Sequence, residues 1–339
     1  MKFSIGYNFD SHLIKYFKEH NKKDDFIFQV FFALKNGYLG SARYKEIPKL
    51  SLVETEKQFK RLKTTMDVNY LLNSSFCPDL GDSENLRKLD EYISWVVSQK
   101  PSIVTVANIN ILKFLRDKYP NLPVNVSIVF GLKTIKQVNA LREKFPNIKR
   151  ITLHQTVNRD RALLLQHIKN AKKKKKGMAP VEIELLANEL CLYNCPKMKK
   201  HYFYNSKMSF ENVKDHKNSF EAYCIEKRPT DTIYFLNSCF IRPEDVSVYE
   251  KLGVDIIKLS GRDASSNYLK RISKAYLSRH YSGNVMDLFD PVWWPEKKPP
   301  FIDNRDLDGF LKYLWDNKLK KLTTIPKKFE LKWKYRKLN

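Results

Sequence analysis

Eight short runs of β-branched and aromatic residues recur along this 339-residue chain, and a stretch with helical spacing follows each one. That alternation is the strongest constraint on the fold. A strand, a helix and a second strand in one sheet return in the same direction, so the sheet is parallel and helices cover it. The runs are Lys2–Tyr7, Phe26–Leu34, Val68–Leu72, Ile103–Ala107, Val124–Phe130, Ile151–Leu153, Val181–Leu186 and Val254–Leu259. Their near-continuous apolar character is expected where helices cover a parallel sheet. Helices are expected over Ser11–His20, Ser51–Thr65, Ser83–Gln99, Asn110–Tyr119, Thr134–Phe145, Asn158–Lys169, Pro243–Leu252 and Ser265–His280. Eight such units are the count for a (β/α)8 TIM-barrel-like α/β fold, although a doubly wound sheet shares the local pattern. The expected layout is a barrel over residues 1–283 and a C-terminal extension over 284–339, with a cysteine-bearing insertion at 188–242 between strands 7 and 8.

A barrel of this kind does its chemistry where strands end and βα loops begin. Asn8, Asn73, Asn108, His154 and Asn188 fall at or just past such ends, and Arg262 closes strand 8. Cys77 follows strand 3, Cys191 and Cys195 follow strand 7, and Cys224 and Cys239 lie in the insertion, so all five cysteines belong to one end. The lysine run Lys172–Lys176 precedes strand 7 and belongs to the opposite end, as a solvated loop.

The first residues lack the apolar core of a signal peptide, and no apolar run approaches the roughly 18 residues of a membrane span. We therefore expect a cytoplasmic protein. In a reducing compartment clustered cysteines indicate a metal site or a catalytic centre before disulfides. Four thiolates suit zinc or an iron–sulfur cluster, and CxxxC followed by two single cysteines suits a cluster better than paired zinc knuckles. The net charge of +25 fits either a lysine-rich solvated surface or a polyanionic partner, RNA first. Trp293 and Trp294 are expected to pin the extension to the barrel, and the final segment mixes lysines with Phe329, Trp333 and Tyr335. There is no HExxH, GxSxG, GxGxxG or GxxxxGK(S/T) motif, so metalloprotease, serine hydrolase, hydride-transfer and kinase chemistry have no support.

Three segments together resemble the collagenase-like peptidase family U32. They are YLGSARYKEIPKLSLVETEKQF after strand 2, IELLANELCLYNCP at strand 7, and FLNSCFIRPEDVSVYEKLGVDIIKLSGR through strand 8. The resemblance implies a TIM-barrel-like domain carrying a 4Fe-4S cluster on four cysteines. It also implies oxygen-independent hydroxylation with a prephenate-like donor, on a tRNA or rRNA base or on a quinone precursor handled by a paired heterodimer. Carried over residue by residue, the implied ligands are Cys191, Cys195, Cys224 and Cys239, with Cys77 the runner-up for the fourth. Arg43, Glu184 and Arg262 match family positions at the mouth, and Lys258 matches the closing motif. Ser260 stands where that motif has a glutamate. An arginine at a strand end suits a carboxylate clamp, and a barrel-closing salt bridge is the alternative for Arg43 and Arg262. Glu184 is expected either at the mouth or in a buried ion pair. Three functions follow: RNA hydroxylation, small-molecule hydroxylation with a paralogous partner subunit, or a non-catalytic binding protein with structural zinc.

Overall fold

A computed structural model describes residues 1–34, 37–42, 50–174, 178–213, 220, 232–290 and 301–329. Eight parallel strands close into a barrel in sequence order. They are β1 (Lys2–Gly6), β2 (Phe26–Phe32), β3 (Asp67–Leu72), β4 (Ile103–Val106), β5 (Val124–Val126), β6 (Ile148–Thr152), β7 (Glu182–Leu186) and β8 (Ile256–Leu259). β1 pairs with β8 as well as with β2, which abolishes the sheet edges and decides between the two topologies that the local pattern allows. Helices follow the strands in alternation: α1 (His12–His20), α2 (Leu52–Lys63), α3 (Ser83–Ser98), α4 (Ile109–Lys118), α5 (Ile135–Lys144) and α6 (Arg161–Lys172). Ser51 and Glu54 form a complete capping box at α2, as their spacing implies. Among the described residues no helix is long and apolar enough to cross a membrane.

Two expected elements are divided. The run Val124–Phe130 is strand only to Val126, because Ser127 caps a 3₁₀ turn over Ile128–Phe130 that ends on Gly131 at φ 78°. Likewise Gln155–Arg159 is a 3₁₀ turn, and Asp160 caps α6. The insertion holds a helix that its weak apolar periodicity concealed, α7 (Met198–Phe210), and a short helix, α8 (Thr232–Leu236). A 3₁₀ turn at Pro243–Asp245 leads into α9 (Val246–Leu252), and α10 (Ser266–Ser278) follows β8.

Apolar residues alternate with polar ones along the strands, where the sequence reading expected near-continuous apolar runs. Phe3, Ile5, Val30, Phe32, Val68, Tyr70, Val104, Ile151, Ile183 and Ile257 join a single core with Phe17, Phe59, Leu62, Ile93 and Val96 of the covering helices. Between them Ser4, Gln29, Asn69, Thr105, Arg150 and Glu184 carry hydrogen-bonding groups that fill the barrel. Thr105 donates to Asn69 (2.7 Å), Asn69 to Gln29 (3.4 Å) and Arg150 reaches across to Gln29 (2.7 Å). A small apolar cluster of Phe31, Ala33 and Leu71 stands apart from the main core. Thus the large core lies between sheet and helices, and the lumen is polar.

Beyond Gly283 the described part of the extension packs on the barrel. Asn284 bridges Asp303, and the helix α11 (Phe310–Asp316) brings Trp315 edge-on to Tyr249 at 5.5 Å. Phe329 ends the described chain fully buried against Phe310 and Tyr313. Trp293, Trp294, Trp333 and Tyr335 lie outside the described residues.

Candidate functional site at the barrel mouth

β7 carries Glu184 into the lumen, fully buried. Its register opposite Thr152 of β6 brings the threonine hydroxyl to 2.6 Å from the carboxylate, and Asn125 of β5 donates from 3.3 Å. Lys258 of β8 and Arg150 of β6 each stand 3.7 Å from it. Burial alone would raise the Glu184 pKa, but Lys258, then Arg150, then the two hydrogen bonds hold it below the ordinary carboxylate range. Burial pushes the Lys258 pKa down, Arg150 and Arg262 add to that, and Glu184 opposes it. Glu184 is therefore the buried ion-pair partner that was one of its two sequence readings. Arg150 also holds Glu182 through two hydrogen bonds of 2.9 and 3.0 Å.

Above this layer Lys258, Ser260 and Arg262 line a narrow cavity with Phe31, Leu71 and Glu189. The Lys258 ammonium lies 4.1 Å from the centroid of the Phe31 ring. Arg262 is 4% exposed and donates to Ser41 at 2.6 Å. Its position depends on close backbone contact between β1 and β8: a Cβ on Gly6 would sit 2.4 Å from the Arg262 nitrogen. Gly261, at φ 127°, makes the turn that a side chain resists. Cationic groups beside an apolar wall suit a small carboxylate. Arg43 lies outside the described residues.

Glu189 leads directly into the thiol loop. Leu192 and Ser238 form an antiparallel bridge, and the Cys239 amide donates to the Cys191 carbonyl at 3.3 Å, so these two cysteines share one backbone ladder. The Cys195 amide closes back onto the Leu192 carbonyl, also at 3.3 Å, just before α7. The insertion is held from two sides. Asn158 donates to the Cys239 carbonyl (2.9 Å) and Arg159 to the Ser238 carbonyl (2.5 Å). Arg159 itself lies between the rings of Phe240 and Phe310, at 5.1 and 5.3 Å. Asn237 exchanges two hydrogen bonds with the Leu322 backbone, at 3.0 and 2.7 Å, so the extension braces this loop.

Burial pushes the Cys239 thiol up to about 12, against the pull of Arg159 and Lys133. Lys133 also donates to the Asn194 side chain, next to Cys195, at 2.5 Å. Cys77 sits elsewhere on the same barrel end, beside Tyr38, with burial raising it to about 11. Cys224 lies outside the described residues. The donor set fits an iron–sulfur cluster or zinc in kind, since both take soft sulfur ligands. Among the described residues no three metal-ligating side chains converge.

The asparagines at the strand ends fasten loops. Asn108 caps α4 and donates to the Ser75 carbonyl, Asn8 donates to the Ala264 carbonyl and Ser266, and Asn188 ties Ser260 and Tyr268. Asn73 accepts from Ser41 at 3.4 Å. His154 differs from them. Its Nδ1 accepts the Thr156 amide, which assigns the ring proton to Nε2, and that buried nitrogen has no hydrogen-bond partner. Burial, then Lys133 and Lys199, lowers its pKa to about 3, so the ring is neutral.

Sequence reasoning missed Arg150, Asn125 and Thr152 around Glu184, and Lys133 beside the thiols. The polar residue at alternate strand positions was the available signal for the first three.

The barrel as a whole is matched in known proteins. Residues 41–282 match the model of "Peptidase family U32". The chain is 32% identical over 226 residues to "Uncharacterized protease MJ1657" of Methanocaldococcus jannaschii, a match covering 66% of this chain and 64% of that protein. The chain therefore spans less than two thirds of that relative's length. Among solved structures, that of the U32 peptidase Mk0906 superposes with a TM-score of 0.51 at 12% identity, covering 77% of this chain and 92% of that one, which is a likeness of fold. With a family model spanning the barrel from the β2 loop to the end of α10, this chain belongs to peptidase family U32.

Proposed function

We propose that this U32 protein holds an iron–sulfur cluster at the barrel mouth and acts in oxygen-independent hydroxylation of an RNA base. The observation that carries the reading is the adjacency of two chemistries. A cavity with Lys258 and Arg262 on its wall adjoins, through Glu189, a loop bearing Cys191, Cys195 and Cys239. Cys191, Cys195, Cys224 and Cys239 would hold the cluster, which when bound supplies one-electron chemistry. Lys258 and Arg262 would receive the carboxylate of a prephenate-like donor, and Phe31 and Leu71 would keep water from its ring. Glu184 positions the Lys258 ammonium and does not itself reach the donor. The net charge of +25 favours RNA over a neutral substrate.

The test is anaerobic purification followed by iron, sulfide and zinc analysis, a visible spectrum, and analysis of tRNA and rRNA from a deletion strain. We expect iron and sulfide in equal amounts, a brown colour lost in air, and one hydroxylated base missing from the RNA. A colourless, zinc-loaded protein would mean a structural site. Unchanged RNA with an intact cluster and a co-purifying paralogue would shift the substrate to a small molecule.

A further inference from the structure

A second concavity opens on the same face, between the start of α4, the exit of β5 and the outer side of α7. Phe130, Lys199, Lys200, Phe203 and Lys207 line it, and Val129 lines both it and the mouth cavity. Phe203 is 49% exposed although it is a large apolar residue, with its ring edge-on to Phe76 at 5.9 Å. Lys199 and Lys200 sit in the first turn of α7, which has no acidic residue there. That is the positive end of the helix dipole, where cations are unfavourable. No carboxylate pairs with either among the described residues; Lys207 alone has one, Glu211 at 3.6 Å.

These features have no structural rationale as they stand. Phe76 covers only one side of the Phe203 ring, and two unpaired lysines at a helix N-terminus cost stability. An anion at that helix end offsets the cost, and a flat partner would cover the ring. We infer that this groove is the binding track for a single-stranded RNA segment. One base stacks on Phe203, Lys199 and Lys200 take the phosphates beside it, and the strand passes Val129 towards the mouth. Lysines around an exposed aromatic ring are the combination that single strands select, because stacking is tolerant of sequence and needs an unpaired base. The inference rests on the RNA reading above and adds to it the place and the single-stranded form of the RNA.

The experiment is fluorescence anisotropy with a short labelled oligouridylate and an RNA duplex of equal length, on the full chain at several salt concentrations. We expect the oligouridylate to bind tighter than the duplex. Phe203→Ala should weaken it about tenfold and Phe203→Trp should restore it, as for a stacking platform. The double variant Lys199→Ala/Lys200→Ala should lower the log–log salt slope by about 1.4, the amount for two phosphate contacts on a single strand. Lys173→Ala/Lys174→Ala, at the opposite end of the barrel, should match the unaltered protein. If the protein binds RNA but the groove variants bind equally well, or the duplex binds as tightly, the groove assignment fails alone. If the unaltered protein binds no RNA, the RNA reading fails and takes the groove with it.

Discussion

The centre of the barrel and its rim both gather charged groups, and they resolve them in opposite ways. At the centre Glu184 meets Lys258, Arg150, Thr152 and Asn125, so the buried charges offset one another within the layer. At the rim Lys133, the exposed Lys199 and Arg159 gather around the buried Cys239, the half-buried Cys195 and a neutral His154, with few carboxylates among them. A closed network specifies a structure, because removing one member strands the others. A rim with excess positive charge leaves room for something negative: thiolates, a carboxylate or a phosphate. On the function proposed above, the lumen does structural work and the insertion does ligand work.

The sharpest way to break this division is at the thiols. Cys191→Ala should remove all bound iron and sulfide from anaerobically isolated protein, while Cys77→Ala retains them, as metal analysis would report. The reverse result would move the ligand set to the β3 loop. Next in size is Glu184→Ala, which leaves Lys258 and Arg150 buried without their shared partner and should cost about 3–5 kcal/mol in denaturant unfolding. A loss below about 1 kcal/mol would show the lumen network to be dispensable.

The rim should betray itself through pH. The folded-state pKa of His154, about 3, lies below its ordinary 6.5, so the folded protein binds fewer protons than the unfolded chain between those values. Stability is then full above pH 6.5 and falls as pH drops towards 3, by at most about 1.4 kcal/mol per pH unit from this group. His154→Gln should flatten that part of the profile in metal-free protein, and an unchanged slope would assign the acid sensitivity elsewhere. The smallest effect is a coupling. Combining Lys258→Met with Glu184→Gln should cost about 0.5–3 kcal/mol less than the two single losses added together. Strict additivity would mean that the two do not act as a pair.

Much of the scaffold was readable because it depends on local pattern. Each βα unit announces itself through strand propensity, helical spacing and caps such as Ser51 with Glu54, and these act within a few residues. The end of the barrel that bears the cysteines followed from the order of elements alone. The division of Val124–Phe130 was not legible, since a single serine cap and Gly131 outweigh the apolar run. Nor was α7, where aromatic and lysine residues follow one another without an apolar stripe.

The chain itself determined the element order, the family motifs and the side of the barrel on which Cys77, Cys191, Cys195 and Cys239 lie. Only the tertiary structure decided that the sheet closes, that Glu184 faces inward between Lys258 and Arg150, and that Cys239 lies beside Cys191. The reason is sequence distance. Closure joins β1 to β8, the lumen network draws on strands β2 to β8, and the extension reaches back through Leu322 to hold Asn237. Such contacts arise from register and curvature summed around the ring, which no short stretch of residues encodes.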